Sequence, residues 1–124
     1  MFLIKTRVAP SPIHGVGVFA GEPVAAGRVV WRYEPAFDRV IAKEELASLP
    51  PAFRDYLDMY AYPSADLGGK TLLSCDHAKF LNHSEDPNTA ERRFESVARR
   101  PIAAGEEITC DYRAFCVGWS GFGD

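Results

Sequence analysis

Nine prolines and ten glycines are spread along the whole 124-residue chain, and they leave little uninterrupted sequence in which a long helix could form. The runs between these breaks are short and rich in β-branched and aromatic residues. Residues 2–8, 16–20, 28–33, 40–42, 70–75, 94–98 and 107–110 read as strands. One segment, about 43–62, reads as helical. Lys43-Glu44-Glu45-Leu46 opens a turn that Pro50-Pro51 stops, and Phe53, Tyr56, Leu57 and Tyr60 then fall at helical spacing behind Pro51, which suits a first helical turn. No linker or low-complexity tract divides the chain, so residues 1–124 are expected to form a single mostly-β domain with one helical insert.

An internal echo organises the strands. Pro23-Val24-Ala25-Ala26-Gly27-Arg28-Val29-Val30 recurs as Pro101-Ile102-Ala103-Ala104-Gly105-Glu106-Glu107-Ile108. In each copy a Pro-aliphatic step enters a turn, Gly supplies a positive φ, and a strand leaves. Two distant copies do not make a solenoid, so one turn-to-strand device is used twice. The copies end differently: Tyr33 aligns with Asp111, and Tyr112 stands one place later. On a continuing strand, one place is the opposite face.

Composition narrows the classes of function. Apolar residues make up 47% and charged residues 25%, an ordinary globular balance, and the net charge of −3 gives no general attraction to nucleic acid or an acidic membrane. Basic partners are favoured instead. The apolar run Met1-Phe2-Leu3-Ile4 ends at Lys5, too short for a signal peptide or a membrane span. Cys75, Cys110 and Cys116 form no CxxC pair and read as reduced thiols, which points to the cytoplasm.

Three constellations carry candidate chemistry, and each has a plainer reading. His14-Gly15-Val16-Gly17 lacks the third glycine and following helix of a dinucleotide site, so a tight turn fits it. Phe80-Leu81-Asn82-His83-Ser84-Glu85-Asp86-Pro87-Asn88-Thr89 follows an apolar run and reads first as a polar loop satisfying its own backbone. Cys75, Asp76, His77 and His83 do not suggest a metal site, because alternate side chains on a strand diverge. Gly105-Glu106-Glu107-Ile108-Thr109-Cys110-Asp111-Tyr112 reads as a solvated strand start ending in a half-buried aromatic.

Taken together and in this order, HGVGVFA, FLNHSEDPNT and AAGEEITCDY resemble the SET-domain family of protein-lysine methyltransferases, over about residues 11–112. The likeness is to small, minimal SET proteins of bacterial or viral type. It implies a β-clip-like fold of several small curved sheets, with a knot-like C-terminal crossing that brings the NHS strand end to the final tyrosine. It also implies S-adenosylmethionine as cofactor. Gly15, Val16 and Gly17 would lie against it, and Asn82 and the His83 main chain would hold it. Tyr112 would be catalytic, at the point of methyl transfer, and the His83 ring would matter less than its position.

In the tail, residues 113–124, Cys116 is the only cysteine after Tyr112, so the resemblance implies no zinc-binding module there. Phe115, Trp119 and Phe122 are the available aromatics; Trp119 is expected on the adenine ring and Phe115 in the lysine channel, beside Tyr112. Two departures stand out. The stretch from Asn88 to Ile102 is short for the family, and Thr89-Ala90-Glu91-Arg92-Arg93-Phe94 offers only Phe94 where a channel aromatic is common. The implied activity is methyl transfer to a lysine of a basic protein, histone-like, ribosomal or otherwise lysine-rich, without direct nucleic-acid or membrane binding and with a homodimer as a possible assembly. The other reading is a catalytically silent SET-like module that binds a peptide or protein partner.

Overall fold

The short runs become short strands, ordered in three small sheets. The computed structural model describes residues 1–119; Phe122 lies outside the described residues. The first sheet has the order β1 (Thr6–Pro10), β2 (Val16–Ala20), β10 (Glu107–Cys110), β7 (Asn82–His83), with β7 and β10 parallel. The second runs β3 (Val29–Arg32), β9 (Glu95–Ala98), β8 (Thr89–Arg92), and the third β4 (Arg39–Ile41), β6 (Thr71–Leu73), β5 (Tyr62–Pro63). Helices α1 (Lys43–Ala47) and α2 (Pro51–Tyr60) form the insert, with Pro51 in the first turn of α2. The architecture is the expected mostly-β one, several small sheets with few helices.

The echo in the sequence is a local two-fold in the structure. Val24 and Ile102 exchange both backbone hydrogen bonds, at 2.8 and 2.9 Å. Around that pair every bond has its counterpart. The Gly27 N–H donates to Ala98 O at 2.8 Å as that of Gly105 does to Ala20 O at 2.7 Å, and Ala98 N bonds Arg28 O as Ala20 N bonds Glu106 O, both at 2.9 Å. Gly27 and Gly105 share a φ of 85°, which a side chain would strain. The equivalent pairs Ala20 and Ala98, Val24 and Ile102, and Val30 and Ile108 are all buried in one cluster, completed by Val18, Trp31 and Leu72. The echo is therefore the core itself, built twice. Both copies stop at the same place: β3 ends at Arg32 and β10 at Cys110, so Tyr112 does not sit on the opposite face of a strand but in a 3-10 turn, Tyr112–Ala114.

Three features depart from the sequence-based assignment. The N-terminal strand is not 2–8: Ile4 turns into the core, Phe2 makes only an isolated bridge to Trp31, and the strand runs on to Pro10, tolerated because β1 is an edge. Strand β8 was not expected, because its turn, Arg93-Phe94, has no Gly or Asn. Phe94 takes φ 62°, its N–H donating to Asp66 Oδ2 at 3.0 Å and its carbonyl accepting from Tyr33 N at 2.8 Å. On α2 only Leu57 is buried. Phe53, Tyr56 and Tyr60 instead step outward as a file of ring contacts, at 5.8 and 4.9 Å, that reaches Phe80 at 5.3 Å.

The loop between β7 and β8 encloses part of β10. At one end Ser84 N donates to Cys110 O at 3.0 Å; at the other the Thr89 hydroxyl donates to Thr109 O at 2.7 Å. Asn88, buried, completes the grip. Its amide donates to Glu107 O (2.8 Å) and Glu106 Oε2 (3.0 Å), and its oxygen accepts Thr109 N–H (2.9 Å). Replacing Asn88 with Ala leaves two backbone groups unsatisfied, at roughly 1–3 kcal/mol each. Urea unfolding of Asn88→Ala is expected to show a loss of about 3 kcal/mol or more, with a loss under about 1 kcal/mol contradicting the assignment.

Candidate functional site

The grip on β10 fixes the turn of chain that comes after it. Tyr112 is held at both ends: its N–H donates to His83 Nδ1 at 3.1 Å, and its hydroxyl donates to the carbonyl of Leu81. Because His83 Nδ1 accepts from a backbone N–H, the neutral ring carries its proton on Nε2, 3.5 Å from Glu85 Oε1. The ring is buried and packs against Tyr112 and Trp119, with centroids 5.4 and 4.4 Å apart. The expectation that the ring matters less than its position is thus corrected: it positions Tyr112. Burial pushes the Tyr112 phenol above its ordinary range, so it stays protonated and acts as a donor.

Asn82 faces the glycine turn. Its Nδ2 lies 3.0–3.1 Å from four acceptors, Ser11 Oγ, His14 O, Val16 O and Glu107 Oε2, which share its two protons. Ser11 Oγ lies 2.8 and 2.9 Å from the two oxygens of Glu107. Asn82 thereby fixes the conformation of Gly15, Val16 and Gly17. The two glycines serve different ends. Gly15 has φ +49° and open space around it, whereas a Cβ on Gly17 would meet Glu107 Oε2 at 2.3 Å and Asn82 Nδ2 at 3.1 Å. Glu106 and Glu107 are therefore not a solvated strand start. Each is half-buried and spends its carboxylate on a hydrogen-bonded contact, Glu106 on Asn88 and Ala103 N, Glu107 on Ser11 and Asn82.

Tyr112 also lines a cavity of about 290 Å³. Its walls include Trp31, Tyr62, Glu91, Tyr112, Phe115 and Trp119. Phe115 contacts Tyr62 and Tyr112 edge-on, at 4.9 and 5.9 Å, and half-buried Trp119 meets Tyr112 at 5.3 Å. The structure thus gathers Asn82, His83, Tyr112, Phe115 and Trp119 with the Gly15–Gly17 turn close by across Asn82. Sequence reasoning missed Trp31, Tyr62 and Glu91. Tyr62 reads in the sequence as the end of the helical insert, whereas α2 stops at Tyr60 and Tyr62 pairs with Leu72 in β5; Glu91 lies on the unexpected strand β8. Among the described residues, no group of three or more His, Cys, Asp or Glu could hold a metal ion.

Comparison with known proteins agrees with this geometry. A family model described as the SET domain matches residues 15–113. The chain is 30% identical over 123 residues to histone-lysine N-methyltransferase SETD1 of Drosophila melanogaster, covering 88% of this chain and 7% of that protein. It is 28% identical over 127 residues to the H3 lysine-4 specific histone-lysine N-methyltransferase of Yarrowia lipolytica, covering 86% and 10%. It therefore spans a tenth or less of the length of those relatives. Among solved structures, Polycomb Repressive Complex 2 of Chaetomium thermophilum superposes with TM-score 0.68 at 20% identity, over 93% of this chain and 16% of that one, a likeness of fold.

Gly17→Ala is expected to destabilise the protein by about 1–3 kcal/mol in urea unfolding, because the carboxylate it strikes is held on two sides. Combined with Glu107→Ala, the loss should fall short of the sum of the two singles; strict additivity would show that the glycine serves something else.

Proposed function

The chain belongs to the SET-domain family, and we propose that it is a protein-lysine N-methyltransferase that uses S-adenosylmethionine and acts on a basic protein. The observation that carries this reading is Tyr112, fixed at both ends on the wall of an aromatic cavity and held through His83, the neighbour of the Asn82 that anchors the glycine turn. The residues present fit the cofactor. Half-buried Trp119 offers a flat apolar surface beside His83 for a purine, and the turn held by Asn82 offers exposed backbone for the amino-acid end. When bound, the cofactor supplies an electrophilic methyl group.

The protein's part is alignment and solvation. Tyr62, Tyr112, Phe115 and Trp31 make a channel that admits a slender alkylamine and favours its cationic head by cation–π attraction. Fixing that amine in line with the methyl group converts an encounter in solution into an effectively unimolecular step. Tyr112, kept as a phenol, orients the amine rather than removing its proton. The net charge of −3 suits a basic substrate.

Calorimetry with S-adenosylmethionine or its demethylated product is expected to show binding, and labelled-methyl transfer to a pool of basic proteins should accompany it. No binding at millimolar cofactor would remove the reading. Tyr112→Phe should transfer roughly 10²-fold more slowly, the usual consequence of deleting one positioned polar group at the reacting atoms. Asn82→Ala should weaken cofactor binding by about 1–3 kcal/mol, because the turn loses its anchor. Unchanged affinity in that variant would place the cofactor elsewhere.

A further inference from the structure

Most carboxylates near the site are committed to hydrogen-bonded or ionic partners: Glu107 to Ser11 and Asn82, Glu106 to Asn88, Asp111 to Arg113. Glu91 has a single neutral hydroxyl as its hydrogen-bonding partner among the described residues. It lies on β8 opposite Ser96 of β9, whose hydroxyl donates to its Oε2 at 2.7 Å, and it lines the aromatic cavity. Among the described residues no cation pairs with it. The same cavity is lined by Trp31, which pairs with Ser96 across β3 and β9; its indole N–H is the only buried side-chain polar atom among the described residues without a partner. A half-buried carboxylate without a cation among the described residues, in a cavity walled by aromatic rings and bordered by an indole with an unused donor, is costly unless something polar enters.

Resting on the methyltransferase reading above, we propose that Glu91 receives the cationic amine of the substrate in this cavity and takes its proton. The ammonium N–H bond breaks with its electron pair remaining on nitrogen, and a carboxylate lone pair forms the new O–H bond. The ion pair becomes a neutral amine and a neutral carboxylic acid, and the proton then passes to solvent. The amine so formed has the free lone pair that accepting a methyl group requires.

In water this transfer runs uphill by about six pH units, the gap between a lysine and a glutamate. Before the amine arrives, the cavity narrows that gap. Burial pushes Glu91 up to about 7; the Ser96 hydroxyl opposes it, and the charges of Asp66 and Asp111 add smaller upward pushes. The same burial disfavours an ammonium. The other titratable groups along the cavity wall are Tyr62, Cys110, Cys116 and Tyr112, each pushed upward chiefly by burial, with Asp58, Tyr60 and Lys79.

Two readouts test the assignment. In protein carrying carbon-13 at glutamate carboxyls, the Glu91 signal is expected to titrate near 7 and to fall by a unit or more when n-butylammonium saturates the cavity. Glu91→Gln should bind n-butylammonium at least tenfold more weakly, with Glu91→Asp in between. A midpoint in the ordinary carboxylate range that amine does not move, or equal binding by Glu91→Gln, overturns the proposal. In methyl transfer to the pool of basic proteins, the wild-type rate should fall below about pH 7. Glu91→Gln should be slowed at least tenfold at neutral pH and recover toward wild type near pH 9.5. An equal loss at every pH would mark a structural role and overturn the proton transfer. If the wild type binds amine through Glu91 but transfers no methyl group, the methyltransferase reading fails while Glu91 stands as an amine site.

Discussion

Thr109 and Cys110 are held from both sides by a single loop, and the rest of the site depends on that grip. Residues 82–84 pair with them along one edge, and Asn88 and Thr89 close on the other. A strand gripped this way delivers the next turn of chain to one place only. Tyr112 therefore arrives with its N–H on His83 and its hydroxyl on the Leu81 carbonyl. Sequence-distant segments are joined by buried hydrogen bonds, whose loss costs more than their presence contributes. The geometry is enforced by that asymmetry more than by apolar burial, which the doubled Val24 and Ile102 core supplies independently.

Electrostatically, the site sorts its carboxylates by partner. Glu107 accepts from Ser11 and Asn82 and acts as a clamp on the glycine turn. Glu85 and Asp111 sit at the surface side of His83 and pair with Arg113. Asp111 is accordingly held below its usual range, chiefly by the Arg113 hydrogen bond. Glu91, with one hydroxyl and no cation among the described residues, is pushed the other way, chiefly by burial. Glu91 and Asp111 are thus shifted in opposite directions because their surroundings differ, and Glu91 lines the aromatic cavity.

Much of this was legible in the sequence where local rules agree with the fold. The Pro-Ala-Ala-Gly echo announced the two glycine turns, because positive φ demands glycine whatever the tertiary context. Asn82, His83 and Tyr112 were found by resemblance, not by spacing. Strand β8 was hidden because Asp66 and Tyr33, distant in sequence, hold a turn at Phe94 that its own residues do not favour. Glu91 was hidden with it: whether a strand residue faces a cavity depends on register, which a missed strand cannot give. Glu106 and Glu107 were misjudged for a related reason. Adjacent side chains on a strand do diverge, but here a buried polar partner waits on each face.

The most direct test of the central claim, that the grip on Thr109 and Cys110 places Tyr112 at a methyl-transfer point, is a crystal structure with S-adenosylhomocysteine and a lysine peptide bound together. The account predicts the thioether sulfur and the lysine nitrogen approaching the Tyr112 hydroxyl from opposite sides. The lysine should lie between Tyr62 and Phe115, and the cofactor should lie against the Gly15–Gly17 turn. A cofactor bound away from Tyr112, or a lysine entering from the cofactor's own side, would contradict it.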